Sequence, residues 1–291
     1  MRTILLTGAT GFIGWRLSGM LSQHGNKVLS LVRKANPKLP QGCMPVLADL
    51  EDPESVAEAV ARCDIVIHLG AIVGNAACDA DVEKAVRVNV GGTLNILNGI
   101  RFHRKPMIYA SVGNAEDNTA YAITKVTGER FCLMYNRELN TAVLPLRIFN
   151  VYGPGQSPST GKLIPASVDR AIKGEDLTYF GDGEQQHDFV YVDDVIRILS
   201  YAVDYVSTLK TLPSEALHVG TGAAVSVKEV ITLVNQLAGR RSKILSKPCR
   251  PGESMRAVVA DASKRFGPTD FAYISLATGV QEMMANHATG I

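Results

Sequence analysis

The strongest constraint on this chain is its opening, where an apolar strand, Thr3 to Thr7, runs straight into Gly8-Ala9-Thr10-Gly11-Phe12-Ile13-Gly14. Behind this turn Ile13, Leu17 and Leu21 recur every fourth residue, with Met20 beside them. That spacing puts an apolar stripe on one face of a helix, which ends near Gly25. Glycines lack Cβ atoms, so they allow both a tight turn and the close approach of a pyrophosphate to backbone N–H groups at a helix N-terminus. Gly-x-x-Gly-x-x-Gly is common by itself; its position between a first strand and a first helix is what points to a dinucleotide. Gly8, Gly11, Phe12, Ile13 and Gly14 are therefore candidate cofactor contacts.

The alternation continues. Strands are expected at Lys27 to Val32, Pro45 to Ala48, Asp64 to Leu69, Met107 to Ala110 and Ala142 to Leu146, and longer helices over Asp81 to Ile100 and Ala120 to Leu139. Strands alternating with helices give an α/β protein, here a Rossmann doubly wound parallel sheet with helices on both faces. The 291 residues, 46% of them hydrophobic, suffice for one large core or two modest ones. A loop rich in Gly, Pro and Ser, Asn150 to Gly161, marks a boundary. Beyond it a strand and helix are expected over Phe189 to Ala202, a strand at Leu217 to Gly220, a helix over Val227 to Leu237, and one more helix after Phe266. The expected division is a dinucleotide-binding Rossmann domain, 1–150 plus about 184–212, and a smaller α/β substrate-binding domain, 151–183 plus 213–291. The two long helices are expected to meet their copies in a homodimer.

Charge and composition exclude other classes. Thirty basic and 28 acidic residues leave a formal charge of +2, without a dense Lys/Arg run, so nucleic acid is not an expected partner. No apolar run approaches the roughly 20 residues that cross a bilayer, and Met1-Arg2 leads directly into the first strand. A cytoplasmic protein with no membrane partner is expected. Cys43, Cys63, Cys78, Cys132 and Cys249 are scattered and form no Cys-x-x-Cys pair, so they read as reduced thiols and no metal site is expected.

The second strand ends in Val32-Arg33-Lys34, where many NAD-binding chains carry an acidic residue for the adenosine ribose. A guanidinium there can grip a ribose phosphate bidentately, which predicts NADP over NAD. Asp49 and Leu50 after the third strand are candidates for the adenine, and Leu69, Gly70 and Ala71 after the fourth for the ribose. Tyr121 and Lys125 stand four residues apart at the start of a helix and so share a face. A phenol of ordinary pKa is a poor base at neutral pH, but an adjacent ammonium and an oxidised nicotinamide would both favour phenolate. Tyr121 could then exchange a proton with a substrate hydroxyl while hydride moves between its carbon and the nicotinamide.

Taken with these, further motifs carry a resemblance. They are His68-Leu69-Gly70-Ala71, Asn89-Val90-Gly91-Gly92-Thr93, Arg147-Ile148-Phe149-Asn150-Val151-Tyr152-Gly153-Pro154-Gly155, Gly181-Asp182-Gly183, Asp188-Phe189-Val190-Tyr191-Val192-Asp193-Asp194-Val195 and Arg250-Pro251-Gly252-Glu253. With them the chain resembles the extended short-chain dehydrogenases, specifically the NAD-dependent epimerase/dehydratase family, over most of its length. The resemblance implies that Asn89 and Ile148 join the cofactor contacts and that Asn150 and Arg250 hold a nucleotide diphosphate. It also implies that Leu163, Ile164, Tyr179 and Phe180 border its base.

The chain departs from the family pattern in three places. The family's Ser-Ser or Ser-Thr pair after the fifth strand is reduced to Ala110-Ser111-Val112, which leaves open whether Ser111 or Val112 takes the place of the catalytic hydroxyl. If Val112 does, Tyr121 works alone or with a group such as Thr119. The stretch from Ser111 to Tyr121 is also short, and Val112-Gly113 stand where dehydratases of the family resemble one another in an acidic pair; Glu116 and Asp117 read as loop charges. His187, finally, replaces the usual Arg and can still donate to a diphosphate, best at acidic pH. The expected function is a nucleotide-sugar epimerase using reversible hydride transfer at carbon 4. The alternative is an NADPH-dependent reductase of a keto-sugar nucleotide or another small carbonyl compound. Dehydration and a non-catalytic dinucleotide sensor stand behind these.

Overall fold

The computed structural model describes residues 1–35, 37–249 and 256–288. In chain order its elements begin with β1 (Thr3–Thr7), α1 (Phe12–Gln23), β2 (Lys27–Val32), β3 (Cys43–Leu47), α2 (Pro53–Ala61) and β4 (Ile65–His68). Next come α3 (Asn75–Ala80), α4 (Val82–Ala85), a π-helical turn (Val86–Gly91), α5 (Gly92–His103), β5 (Met107–Val112), α6 (Ala120–Leu139) and β6 (Val143–Ile148). There follow β7 (Asn150–Tyr152), α7 (Leu163–Lys173), β8 (Leu177–Phe180), β9 (Gln186–His187), β10 (Phe189–Tyr191) and α8 (Val192–Val206). The last are β11 (Leu217–Val219), β12 (Val225–Ser226), α9 (Val227–Leu237), β13 (Ile244–Lys247) and α10 (Leu276–Ala288). No helix among the described residues is long and apolar enough to cross a membrane.

The chain forms two compact units. The first comprises Met1–Ile148, Ile196–His218 and Phe266–Pro268. It carries a seven-stranded sheet of order β11-β6-β5-β4-β1-β2-β3, in which β1 to β6 pair in parallel. Leu5, Leu29 and Val66 share a cluster with Val56 and Val60 of α2, Ile96 and Leu97 of α5, and Cys132 and Tyr135 of α6. Ile4, Leu6, Val28, Ile65 and Ile67 occupy the alternate strand positions and are equally buried. Successive strand residues face opposite sides, so both faces of the sheet are covered, as its near-continuous apolar strands require. The strand order reverses between β1 and β4. In such sheets ligands bind beyond the carboxyl ends of the strands at that reversal, which is where the glycine turn emerges.

The helix expected over Asp81 to Ile100 runs without a break from Val82 to His103, but its middle turn is π-helical and its start is set at Asp81. Asp81 leaves helical geometry and its carboxylate caps the N–H of Lys84 at 2.9 Å, which separates α3 from α4. A π-helical turn then carries Asn89 before α5 begins, and α5 continues to His103.

The second unit comprises Phe149–Val195, Val219–Arg265 and Thr269–Ile291. It holds three two-stranded pairings, β10-β7, β12-β9 and β13-β8. One cluster takes Ile164 and Val168 from α7, Val230 and Val234 from α9, and Val280 and Met283 from α10. At Gly279 a Cβ would stand 2.4 Å from the Tyr152 hydroxyl and 2.7 Å from the Tyr191 ring, so only glycine lets α10 lie on those tyrosines. The hub of the unit is Asp188, whose side chain is fully buried. Its carboxylate accepts from Thr221 N–H (3.0 Å), Thr221 Oγ1 (2.6 Å), Gly222 N–H (2.8 Å) and Ala260 N–H (3.2 Å).

Candidate active site

The glycine turn is shaped by its own crowding. Gly8 sits at φ +73°, and a Cβ there would stand 2.9 Å from the backbone of Gly70, while a Cβ on Gly14 would stand 2.1 Å from the Gly8 carbonyl oxygen. Gly11 is different, since its Cβ would meet only that oxygen, at 3.3 Å. Gly11 N–H donates to Gly8 O at 3.0 Å, but α1 has no side-chain cap and no acidic residue in its first turn. Among the described residues nothing accepts from the N–H groups of Phe12, Ile13 or Gly14. An uncapped helix start with free donors and a bare Gly11 fits a diphosphate, so the residues present suit a dinucleotide.

The other cofactor candidates lie in the same unit. The turn Leu69-Gly70-Ala71 is packed against Gly8. Arg33 is exposed just past β2; Asp49 is half-buried, its carboxylate accepting from Glu51 N–H at 3.1 Å. Leu50 is buried, its carbonyl accepting from Asn95 at 2.8 Å. Ile148 ends β6, and its carbonyl accepts from Gly113 N–H at 3.1 Å.

A buried chain of hydrogen bonds joins the glycine-turn strand to the helix of Tyr121. Gly70 N–H donates to Thr7 Oγ1 (2.8 Å), which stands 2.7 Å from His68 Nδ1, while His68 Nε2 stands 3.1 Å from Thr93 Oγ1. The Thr93 proton goes to Asn89 O at 2.6 Å, so Nε2 must be the donor toward Thr93, and Nδ1 accepts from Thr7. Burial, helped by the nearby Lys125 charge, lowers the His68 pKa to about 3, so the ring is neutral. Asn89 then accepts from Ile72 N–H (2.7 Å) and donates to Ile72 O and to Thr124 Oγ1, both at 3.1 Å. Thr124 Oγ1 donates to Tyr121 O at 2.9 Å.

Thr119 caps α6 by accepting from Ala122 N–H at 3.2 Å, which puts Tyr121 and Lys125 in its first two turns. Lys125 is 3% exposed, and its ammonium lies 4.3 Å from the centre of the Tyr109 ring. The Tyr109 hydroxyl donates to Lys125 O at 2.9 Å, and a Cβ on Gly128 would stand 2.3 Å from that hydroxyl. Burial pushes the Tyr121 phenol up to about 12, with Cys78 adding to the rise, and pulls Lys125 down to about 8 against the opposing effects of Cys132 and Glu129. The expected lowering of the Tyr121 pKa is thus not supplied by the polypeptide alone, because burial acts in the opposite direction.

Ser111 is engaged elsewhere. Its hydroxyl donates to Glu129 Oε2 at 2.6 Å, and Glu129, 3% exposed, receives a bidentate grip from Arg147, Nη2 to Oε1 at 2.7 Å and Nε to Oε2 at 2.9 Å. Val112, next along the strand, is buried. Asn114 binds Asp117 at 2.8 Å, and Glu116 is exposed.

The proposed substrate contacts belong to the second unit. Asn150 is half-buried and its N–H donates to Asp188 O at 3.0 Å, which sets it beside the segment carrying His187. The His187 ring meets Phe189 edge-on at 5.9 Å. Leu163 and Ile164 open α7, with Ile164 1% exposed inside the apolar cluster and Leu163 packed on it. Tyr179 and Phe180, both half-buried, lie on β8. Arg250 lies outside the described residues. Sequence reasoning missed Glu129 and the roles of Tyr109, Arg147 and Asp188. Glu129 was within reach, since it stands one helical turn beyond Lys125.

The family model described as "NAD dependent epimerase/dehydratase family" matches residues 4–214. The chain is 30% identical over 272 residues to UDP-N-acetyl-alpha-D-glucosaminuronate decarboxylase of Bacillus cytotoxicus, covering 84% of this chain and 83% of that one. Its fold is similar to that of UDP-glucose 4-epimerase from Thermotoga maritima solved with UDP-glucose, with TM-score 0.87, 25% identity and 99% of each chain covered. UDP-glucose 4-epimerase from Thermus thermophilus, solved with NAD, matches with TM-score 0.83 and 26% identity over 99% of this chain and 100% of that one.

Proposed function

The chain belongs to the NAD-dependent epimerase/dehydratase family, and from that premise we propose that it is a nucleotide-sugar epimerase working by reversible hydride transfer at carbon 4 of the sugar. One observation carries the reading. Tyr121 and Lys125 share a face of α6, and the hydrogen-bond chain through Thr124, Asn89, Thr93 and His68 ties that helix to the strand ending in the uncapped glycine turn. A nicotinamide dinucleotide bound on that turn supplies the hydride acceptor and donor. The first-turn N–H groups hold its diphosphate, and Tyr121 takes and returns the proton of the sugar hydroxyl. Burial keeps the phenol protonated, so removing its proton depends on positive charge nearby, of which Lys125 is the protein's share. Asn150, His187 and Arg250 are assigned to the diphosphate of the substrate, and Leu163, Tyr179 and Phe180 to its base, with Ile164 supporting them from the core.

The test is incubation with UDP-glucose and catalytic NAD or NADP. The 4-epimer should accumulate without net reduced cofactor, and Tyr121→Phe should abolish it while leaving cofactor bound. Epimerisation that survives in Tyr121→Phe would overturn the assignment.

A second reading, an NADPH-dependent reductase of a keto-sugar nucleotide, rests on Arg33, which is exposed immediately after β2 where a ribose phosphate would lie. On the same ground NADP is the favoured cofactor, and a smaller dissociation constant for NAD than for NADP would remove that preference. Stoichiometric NADPH oxidation with a 4-keto sugar nucleotide would select the reductase. Homodimerisation is proposed on Val82, Val86 and Ile123, apolar side chains 46–53% exposed on α4, the π-helical turn and α6. Sedimentation at micromolar concentration checks it.

A further inference from the structure

We propose that Ser111 and Arg147 clamp Glu129 as the buried counter-charge of Lys125, which makes Ser111 a positioning residue and not the hydroxyl that meets the substrate. The proposal rests on the assignment of Tyr121 and Lys125 as the reacting pair.

Sheet register brings the clamp together. Ser111 of β5 and Arg147 of β6 are direct partners in the parallel ladder, so their side chains leave the same face. Tyr109, two residues before Ser111, leaves that face too, and all three meet α6: Tyr109 at Lys125 and Ser111 and Arg147 at Glu129. Val112, at odd spacing from them, leaves the opposite face. Glu129 stands four residues after Lys125, hence on the same side of the helix one turn on. With both side chains 3% exposed, water screens their attraction poorly.

The clamp has a physical purpose. A buried carboxylate is costly unless its lone pairs are filled, and Arg147 fills one edge bidentately. Ser111 adds a bond to Oε2 at 2.6 Å and fixes the plane of the carboxylate. The groups around Lys125 are Tyr109 from β5, neutral His68 from β4, and Cys132 and Glu129 from its own helix, with Arg147 of β6 behind Glu129 and Tyr121 one helical turn before Lys125. Glu129 is the carboxylate among them. It opposes the desolvation that would strip the ammonium of its proton. Without its charge two cations remain, Lys125 and Arg147, and no anion between them.

The experiment follows Lys125 directly, by NMR titration of the full chain carrying 13Cε-labelled lysine, in the parent, Glu129→Gln and Ser111→Ala, alongside pH profiles of turnover. The midpoint of Lys125 should fall by about 1 in pH in Glu129→Gln, a tenfold weaker hold on the proton. Ser111→Ala should move it the same way by less, with a several-fold loss of kcat at little change in KM, and Ser111→Thr should restore both. If Glu129→Gln does not fold, Arg147→Lys takes its place and should also lower the midpoint. An unmoved Lys125 in a folded Glu129→Gln or Arg147→Lys chain overturns the clamp. So does a Ser111→Ala chain as inactive as Tyr121→Phe with Lys125 titrating as in the parent, since that marks Ser111 as the hydroxyl facing substrate. The titration needs no turnover, so it decides the clamp even if the epimerase assignment fails.

Discussion

Replacing Asp188 by Asn should cost the second unit several kcal/mol, although the two side chains have nearly the same shape. All four partners of the carboxylate donate to it, two to each oxygen. In Asp188→Asn one acceptor oxygen becomes an NH2 group. If that group faces Gly222 and Ala260, both backbone N–H groups lose their acceptor. If it faces Thr221, the hydroxyl can rotate to accept, but Thr221 N–H is left without a partner. The cheaper orientation therefore orphans the part-buried Thr221 N–H, at about 1–3 kcal/mol, and removes charge assistance from the two bonds to the remaining oxygen, at about 1 kcal/mol each. A total of about 3–5 kcal/mol is a large part of the roughly 5–15 kcal/mol that holds a folded domain. Scanning calorimetry should show an earlier transition, and limited proteolysis should cut first in 219–223, where the orphaned N–H lies, and then around Ala260, whose bond is weakened. An Asp188→Asn chain within about 1 kcal/mol of the parent would refute the view that the carboxylate is the hub of this unit.

Other perturbations test the cofactor turn and the charged pair. Gly14→Ala puts a Cβ 2.1 Å from Gly8 O and should destabilise the first unit by about 3 kcal/mol in urea titration. Gly11→Ala meets the same oxygen at 3.3 Å and should fold normally, yet weaken dinucleotide binding at least about tenfold by calorimetry; unchanged affinity would show that nothing approaches Gly11 from outside. Lys125 titrates near 8, below its ordinary 10.5, so its charge is lost as pH rises through that value and kcat/KM should fall with a midpoint close to it. The unfolded chain binds more protons between about 8 and 10.5, so this group's contribution to stability rises there, and circular dichroism should show intact fold where activity is gone. A flat profile to pH 9.5 would contradict that assignment. Gly279→Val drives a branched side chain into Tyr152 and Tyr191 and should release α10, read as new protease cleavage between 269 and 288.

What the sequence revealed follows from how local each determinant is. β1, β2, α6 and α9 begin and end at the expected residues, because their signals are contained within them: apolar period, the Thr119 cap, and the Ser226 and Glu229 capping box. The helix expected over 81 to 100 is present, but its π-helical middle was not legible, for a non-local reason. Asn89 reaches the backbone of Ile72, 17 residues away, and the π-helical turn that aims it there leaves no mark in the apolar period. Tyr121 and Lys125 were legible because one helical turn separates them, whereas the protonation of the phenol was not, since desolvation depends on what the fold packs around it. Ser111 shows the same division. The sequence left open whether Ser111 or Val112 takes the place of the catalytic hydroxyl, and it could not show that Ser111 bonds Glu129, 18 residues on, or that the register of β5 and β6 brings Arg147 alongside. Spacing along a helix thus announces which groups share a face, while the sheet beneath decides which of them are already bonded.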